Sequence, residues 1–158
     1  MKTRTARTLF GLFLLTLIAN TPKAQAAQCS LNGAAGKYGF TLNGVVLTQN
    51  GPVPIAAVGK AVLDSSGNVS GTEARSVGGN FADETFTGTY TINPDCTGST
   101  TLQFFQSGQL VRTSVLSLIF DNNQREIRMA QKSLTLPNNV ALPVVITVEA
   151  RKLFTEDD

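Results

Sequence analysis

Three carboxylates and two phenols are the groups in this chain best suited to moving a proton inside a folded domain. Glu73, Glu84 and Glu149 stand in runs that alternate polar and apolar residues, and Tyr38 and Tyr90 stand in two more. A carboxylate beside a phenol suits acid–base work on an uncharged substrate, so an isomerase or cyclase is one reading. No spacing selects a pair among the five. The chain has no histidine. That excludes Ser-His-Asp and Cys-His nucleophile systems and any zinc site built on imidazole. Gly78-Gly79 lacks the Lys-Ser/Thr helix opening of a phosphate loop. Asp121-Asn122-Asn123 lacks the spaced acids and closing Glu of a calcium loop and reads as a turn. No catalytic residue, metal ligand or cofactor is therefore assigned.

The remaining charges sit within strand-like runs. Glu73 and Arg75 share a face with Val69 and Val77, Glu149 and Arg151 with Val145, and Arg112 with Leu110 and Leu116. Buried charge is unfavourable unless paired. These faces are accordingly expected to look outward, where Glu–Arg pairs contribute little. The alternative is a hydrogen-bonding patch inside the domain.

Residues 1–26 read as a signal peptide. Lys2, Arg4 and Arg7 precede the apolar run Leu9–Ile18, and Ala24-Gln25-Ala26 fits a small-x-small cleavage site. The run is short for a membrane span, so no stable anchor is expected after cleavage. Removing the segment takes away four basic side chains and no acid. Nine then stand against eleven, a net charge of −2. Nothing basic is left to attract nucleic acid. The mature chain would comprise one domain, 27–154, and an acidic tail, 155–158. In a secreted or periplasmic protein, Cys29 and Cys96 are expected to form a disulfide bond. Two free thiols or an intermolecular bond are the alternatives.

The elements that must position these groups are strands. Alternation and turn chemistry mark eight: 37–47, 55–63, 68–77, 81–92, 97–105, 109–120, 124–131 and 144–154. No convincing helix is found. Gln49 to Pro54 reads as a loop, because two prolines remove ladder donors, and Ser133 to Pro143 as a second one. The other connections are short, so the expected fold is all-β: a single eight-stranded antiparallel up-and-down barrel. A two-sheet β-sandwich is the competing architecture. In a meander Cys29 and the turn holding Cys96 fall at one end, as a disulfide requires.

Two motifs, Gly36-x-Tyr38-Gly39-Phe40 and Gly88-Thr89-Tyr90-Thr91-Ile92-Asn93-Pro94-Asp95-Cys96-Thr97-Gly98, resemble bacterial secreted proteins of the allene oxide cyclase barrel-like family. The resemblance covers residues 29–154. It implies a calycin-like barrel and suggests a small hydrophobic cavity. It carries over no catalytic residue, and no cyclase activity follows from it.

The inward-facing aromatics name the candidate ligand site: Phe40, Phe86, Tyr90 and Phe104. Inward Gly88 and Ala57 would leave room beside them. A cavity is expected to open at the end opposite the cysteines, between the Pro52 and Pro137 loops. Binding of a small hydrophobic ligand is the leading function. A structural or interaction protein of the cell envelope with a solid barrel core is the second, and an isomerase or cyclase acting on a lipid-like substrate the third.

Overall fold

The computed structural model describes residues 28–153. The segment read as a signal peptide and the acidic tail lie outside them. After a one-turn helix, α1 (Leu31–Ala34), the chain forms strands β1 (Gly36–Thr48), β2 (Gly51–Leu63), β3 (Asn68–Val77), β4 (Asn80–Ile92), β5 (Thr97–Gln106), β6 (Gln109–Asp121), β7 (Glu126–Thr135), β8 (Ala141–Leu142) and β9 (Val144–Lys152). Each long strand pairs antiparallel with its neighbour in the chain, except that β7 passes over the two-residue β8 to pair with β9. The β1–β9 ladder, from Tyr38↔Lys152 to Val46↔Val144, closes the sheet. The expected up-and-down barrel is therefore the observed fold, and the sandwich is set aside. Closure leaves none of the eight long strands as an open edge.

Alternation explains which side chains fill the lumen. Along β4 the buried residues are Ala82, Glu84, Phe86 and Tyr90; along β6 they are Arg112, Ser114, Leu116, Leu118 and Phe120. Period-two burial follows from the pleat. Two bulges adjust it. The β5–β6 register shifts between Phe104 and Phe105, and the β6–β7 register between Val115 and Leu116. The first breaks the face expected to join Leu110 to Arg112. Leu110 is exposed and Arg112 is buried.

Several local expectations need correction. Gln49 to Pro54 is not a long loop. Thr48 pairs with Gly51 across a two-residue turn, and Pro52 and Pro54 lie in β2 opposite Leu47 and Val45. The prolines are tolerated because this part of β2 runs past its other neighbour, whose pairing starts at Ile55. A residue's N–H and C=O point to the same side of a strand. The Pro54 carbonyl accepts from the Gly78 N–H, away from β1. Its missing donor therefore removes no β1–β2 bond. The seventh strand starts at Glu126 rather than Gln124, after the left-handed run Asn122, Asn123 and Gln124. It continues beyond Gln131 to Thr135.

Helix α1 was not expected. Ser30 caps it, its hydroxyl accepting from the Gly33 N–H at 3.1 Å. A four-residue helix has no apolar periodicity to read, and tertiary bonds hold it. Cys29 is bonded to Cys96, with their Cα atoms 5.0 Å apart. The Cys29 N–H donates to the Pro94 carbonyl, and the Ser30 N–H to Gln124 Oε1 at 2.8 Å.

Candidate functional site

The lumen holds a cavity of about 80 Å³. Phe40, Phe86, Tyr90 and Phe104 all line it, from β1, β4 and β5. The Phe86 ring centroid lies 5.9 Å from that of Phe40 and 5.3 Å from that of Phe104. Two glycines make this packing possible. A Cβ at Gly59 would meet the Phe40 ring at 2.4 Å, and one at Gly71 would meet the Phe86 ring at 2.3 Å. Inward glycines thus seat the phenylalanines against the wall, and the cavity remains beside them. Gly88 and Ala57 face inward as expected; a Cβ at Gly88 would collide with the Thr101 carbonyl.

The end of the lumen nearest the disulfide is closed by backbone. Tyr38 is wholly buried, and its hydroxyl lies 2.7 Å from the Ala34 carbonyl and 2.9 Å from that of Gln124, sharing one hydrogen between them. The Tyr90 hydroxyl stands likewise against Asp64 O at 2.7 Å and Leu31 O at 3.3 Å. Burial pushes the Tyr38 phenol up to about 12 and also raises that of Tyr90. Lys152 Nζ donates to the Gly33 carbonyl at 3.1 Å, above the Tyr38 ring. Both phenols are therefore committed to holding α1 and its neighbouring turns in place.

Towards the other end the lumen is ionic. Glu73, Glu84 and Arg112 are 4%, 2% and 8% exposed. The expectation that Glu73, Arg75 and Arg112 look outward is thus corrected, whereas Glu149 and Arg151 do lie on the outer face. Burial is tolerated because the charges compensate one another. Arg112 Nη2 donates to Glu73 Oε1 at 2.6 Å, and its Nη1 donates to Glu84 Oε2. Arg75 donates from Nε and Nη2 to Glu84 Oε1 at 2.9 and 2.6 Å. The Arg112 guanidinium also lies over the Phe104 ring, 3.8 Å from its centroid. Glu73 and Glu84 face each other across the β3–β4 ladder. Burial pushes Glu73 above the ordinary carboxylate range despite Arg112, with the Glu84 charge adding to the rise. Burial acts on Glu84 in the same sense, but hydrogen bonds from Arg75 and the Arg112 charge outweigh it and hold Glu84 low.

The carboxylate–phenol pairs considered from the sequence do not assemble. Tyr38 and Tyr90 are turned to the α1 end, Glu73 and Glu84 to arginines, and Glu149 to the outside. Three polar residues of the cavity wall went unrecognised, one of them Thr100, whose hydroxyl donates to the Thr89 carbonyl at 2.9 Å. Ser114, 3% exposed, and Gln131 both line the cavity, and Gln131 Nε2 donates to Ser114 Oγ at 3.0 Å. The signal for Ser114 was its place in the alternating run Arg112, Ser114, Leu116, Leu118, Phe120, where a buried polar residue shares the parity of the core.

These features define a closed, calycin-like eight-stranded β-barrel with a small internal cavity. No family model matches the chain, and neither does any curated relative. Among solved structures it is similar to EF1p2_mFAP2b bound to DFHBI, with a TM-score of 0.55 and 11% sequence identity over 79% of this chain and 100% of that one. The likeness is one of fold.

Proposed function

We propose that this protein is an exported barrel that binds a small, mainly apolar molecule in its lumen. The observation that carries the reading is the cavity of about 80 Å³, walled by Phe40, Phe86, Tyr90 and Phe104. A packed structural barrel would not need this space, since small barrels can fill themselves with side chains. An apolar cavity of about 150 Å³, roughly twice this volume, takes up benzene in another protein. The similar barrel EF1p2_mFAP2b is itself bound to DFHBI, which supports a ligand-binding reading. The test is a thermal-shift and NMR screen with short apolar probes and fatty acids. Binding should raise the melting temperature and shift resonances of the four aromatics. No response to any probe would overturn the reading in favour of the envelope structural role.

Export rests on the leader read over residues 1–26 and agrees with the Cys29–Cys96 bond, which suits an oxidising compartment. N-terminal sequencing of the exported form should begin at Ala27. Recovery of the intact leader would overturn this.

A further inference from the structure

We infer that the lumen's ligand carries an uncharged oxygen, as a ketone, ester or alcohol, and docks it on Ser114 beside Arg112, rather than presenting a carboxylate to the arginine. The inference rests on the ligand-binding reading above and specifies its chemistry. The central observation is an unmatched donor. Gln131 Nε2 donates both to Ser114 Oγ at 3.0 Å and to the Ser133 carbonyl at 3.1 Å. A carbonyl can only accept, so the amide orientation is fixed, and Ser114 must be the acceptor of its bond with Gln131. Its own hydroxyl hydrogen has no acceptor among the described residues, although the residue is 3% exposed and lines the cavity. Buried donors are rarely left so. An oxygen entering the cavity would supply the acceptor.

The neighbouring charges decide what kind of oxygen. Arg112, two positions along β6, also lines the cavity. It already binds Glu73 and Glu84, and Arg75 completes a set of two cations and two anions. An incoming carboxylate would make three anions against two cations within one buried cluster, and like charges at such range disfavour ionisation. A neutral oxygen meets the Ser114 hydrogen and any guanidinium hydrogens left over, without that repulsion. The other polar side chains of the wall, Tyr38, Glu73, Tyr90 and Thr100, are bonded elsewhere and the remaining lining is apolar, so the remainder of the ligand should be hydrocarbon.

The experiment titrates the oxidised protein at pH 7 with three six-membered-ring probes: methylcyclohexane, cyclohexanone and cyclohexanecarboxylate. Cyclohexanone should bind, with its carbonyl infrared stretch shifted to lower frequency by the hydrogen bond, and cyclohexanecarboxylate should bind at least about tenfold more weakly. Ser114→Ala should weaken cyclohexanone about fivefold, the equivalent of one hydrogen bond, and leave methylcyclohexane within about twofold. Ser114→Ala should also abolish the infrared shift. Should that variant fail to fold, the stretch in the parent protein still decides. An unshifted carbonyl, equal weakening of both neutral probes in Ser114→Ala, or tightest binding by the carboxylate would overturn the inference while leaving the binding reading intact. Failure of all three probes to bind would overturn both.

Discussion

The two ends of the lumen are held together by different physics. At the disulfide end the closing groups are mostly neutral: two tyrosine hydroxyls against backbone carbonyls, a one-turn helix and a covalent link from Cys29 to Cys96, with the Lys152 ammonium on the Gly33 carbonyl as the one charge described there. Towards the other end the lumen holds charged side chains, Arg75, Arg112, Glu73 and Glu84, paired with one another across β3, β4 and β6. The first depends on chain connectivity and redox state. The second depends on protonation. Each end should therefore respond to a perturbation that the other ignores, and both surround one cavity.

The strongest way to break the comparison is at the charged end. Arg112→Ala would leave Glu73 without its arginine and Glu84 with Arg75 alone. Removing one partner of a buried ion pair costs about 3–5 kcal/mol. Chemical denaturation should show a loss of that size. Replacing Glu73, Arg75, Glu84 and Arg112 together by apolar residues of similar volume should recover most of it, because the penalty lies in the uncompensated charge. If the quadruple variant is as unstable as Arg112→Ala, shape rather than charge is what the cluster contributes.

At the neutral end the corresponding test is redox. A link across 67 residues of chain stabilises by about 4 kcal/mol in the chain-entropy account. Cys96→Ser should lower the melting temperature under oxidising conditions and have little effect once the parent is reduced. An equal loss in both states would point to a packing role for Cys96. The ionic end should register none of this: the pH dependence of stability should keep its shape in reduced protein.

The disulfide end was largely legible in the sequence and the charged end was not. Chain parity placed Cys29 and Cys96 together, because a meander alternates ends whatever its side chains do. The aromatic faces were readable for the same reason. Phe86 and Tyr90 share the parity of β4, and Phe104 meets Phe86 across the next ladder. The charged cluster was misplaced because burial of a charge depends on its partners, and those partners come from three different strands. Glu73 and Arg112 are 39 positions apart. Local alternation put each on a face but left open whether that face looked in. The bulge beside Phe105 further concealed the parity of Arg112 by setting Leu110 on the other side. Pro52 and Pro54 misled for a related reason: whether a missing donor matters depends on which neighbour it would have faced.

A smaller effect tests how the neutral end is tied. Tyr38→Phe removes the hydrogen shared by the Ala34 and Gln124 carbonyls without changing the ring. The loss should be about 1–3 kcal/mol, the range for leaving a buried acceptor unsatisfied. It should also be local. Hydrogen exchange should quicken at the Ala34 and Ala35 amides, which donate to Ser30 and Leu31, while amides around Glu73 keep their protection. Faster exchange at both ends would mean that the two ends unfold as one.

The finest prediction concerns the shape of the pH curve rather than its height. Glu84 is held below its ordinary value of 4.5, so in the window beneath that value the unfolded chain binds more protons than the folded one. Stability there rises with pH; Glu84's contribution is complete above 4.5 and is lost as pH falls through its folded pKa. Glu73 is displaced the other way. From 4.5 upward to its raised folded pKa, the folded protein binds more protons than the unfolded chain, so stability falls as pH rises through that window. The parent should therefore gain stability on leaving strong acid and then give part of it back above about pH 4.5. Glu73→Gln keeps a neutral hydrogen-bonding group beside Arg112 and removes only the titration. It should abolish the falling limb and leave the acid limb in place. Glu84→Gln should shrink the acid limb, to which Asp64 and Asp95 also contribute, and should shrink the falling limb as well, because the Glu84 charge helps to raise Glu73; reduction of Cys29–Cys96 should alter neither limb. A parent whose stability rises steadily from pH 3 to pH 8, with Glu73→Gln tracing a parallel curve, would show that Glu73 titrates alike in the folded and unfolded chain, its burial offset by Arg112, and would overturn the falling limb.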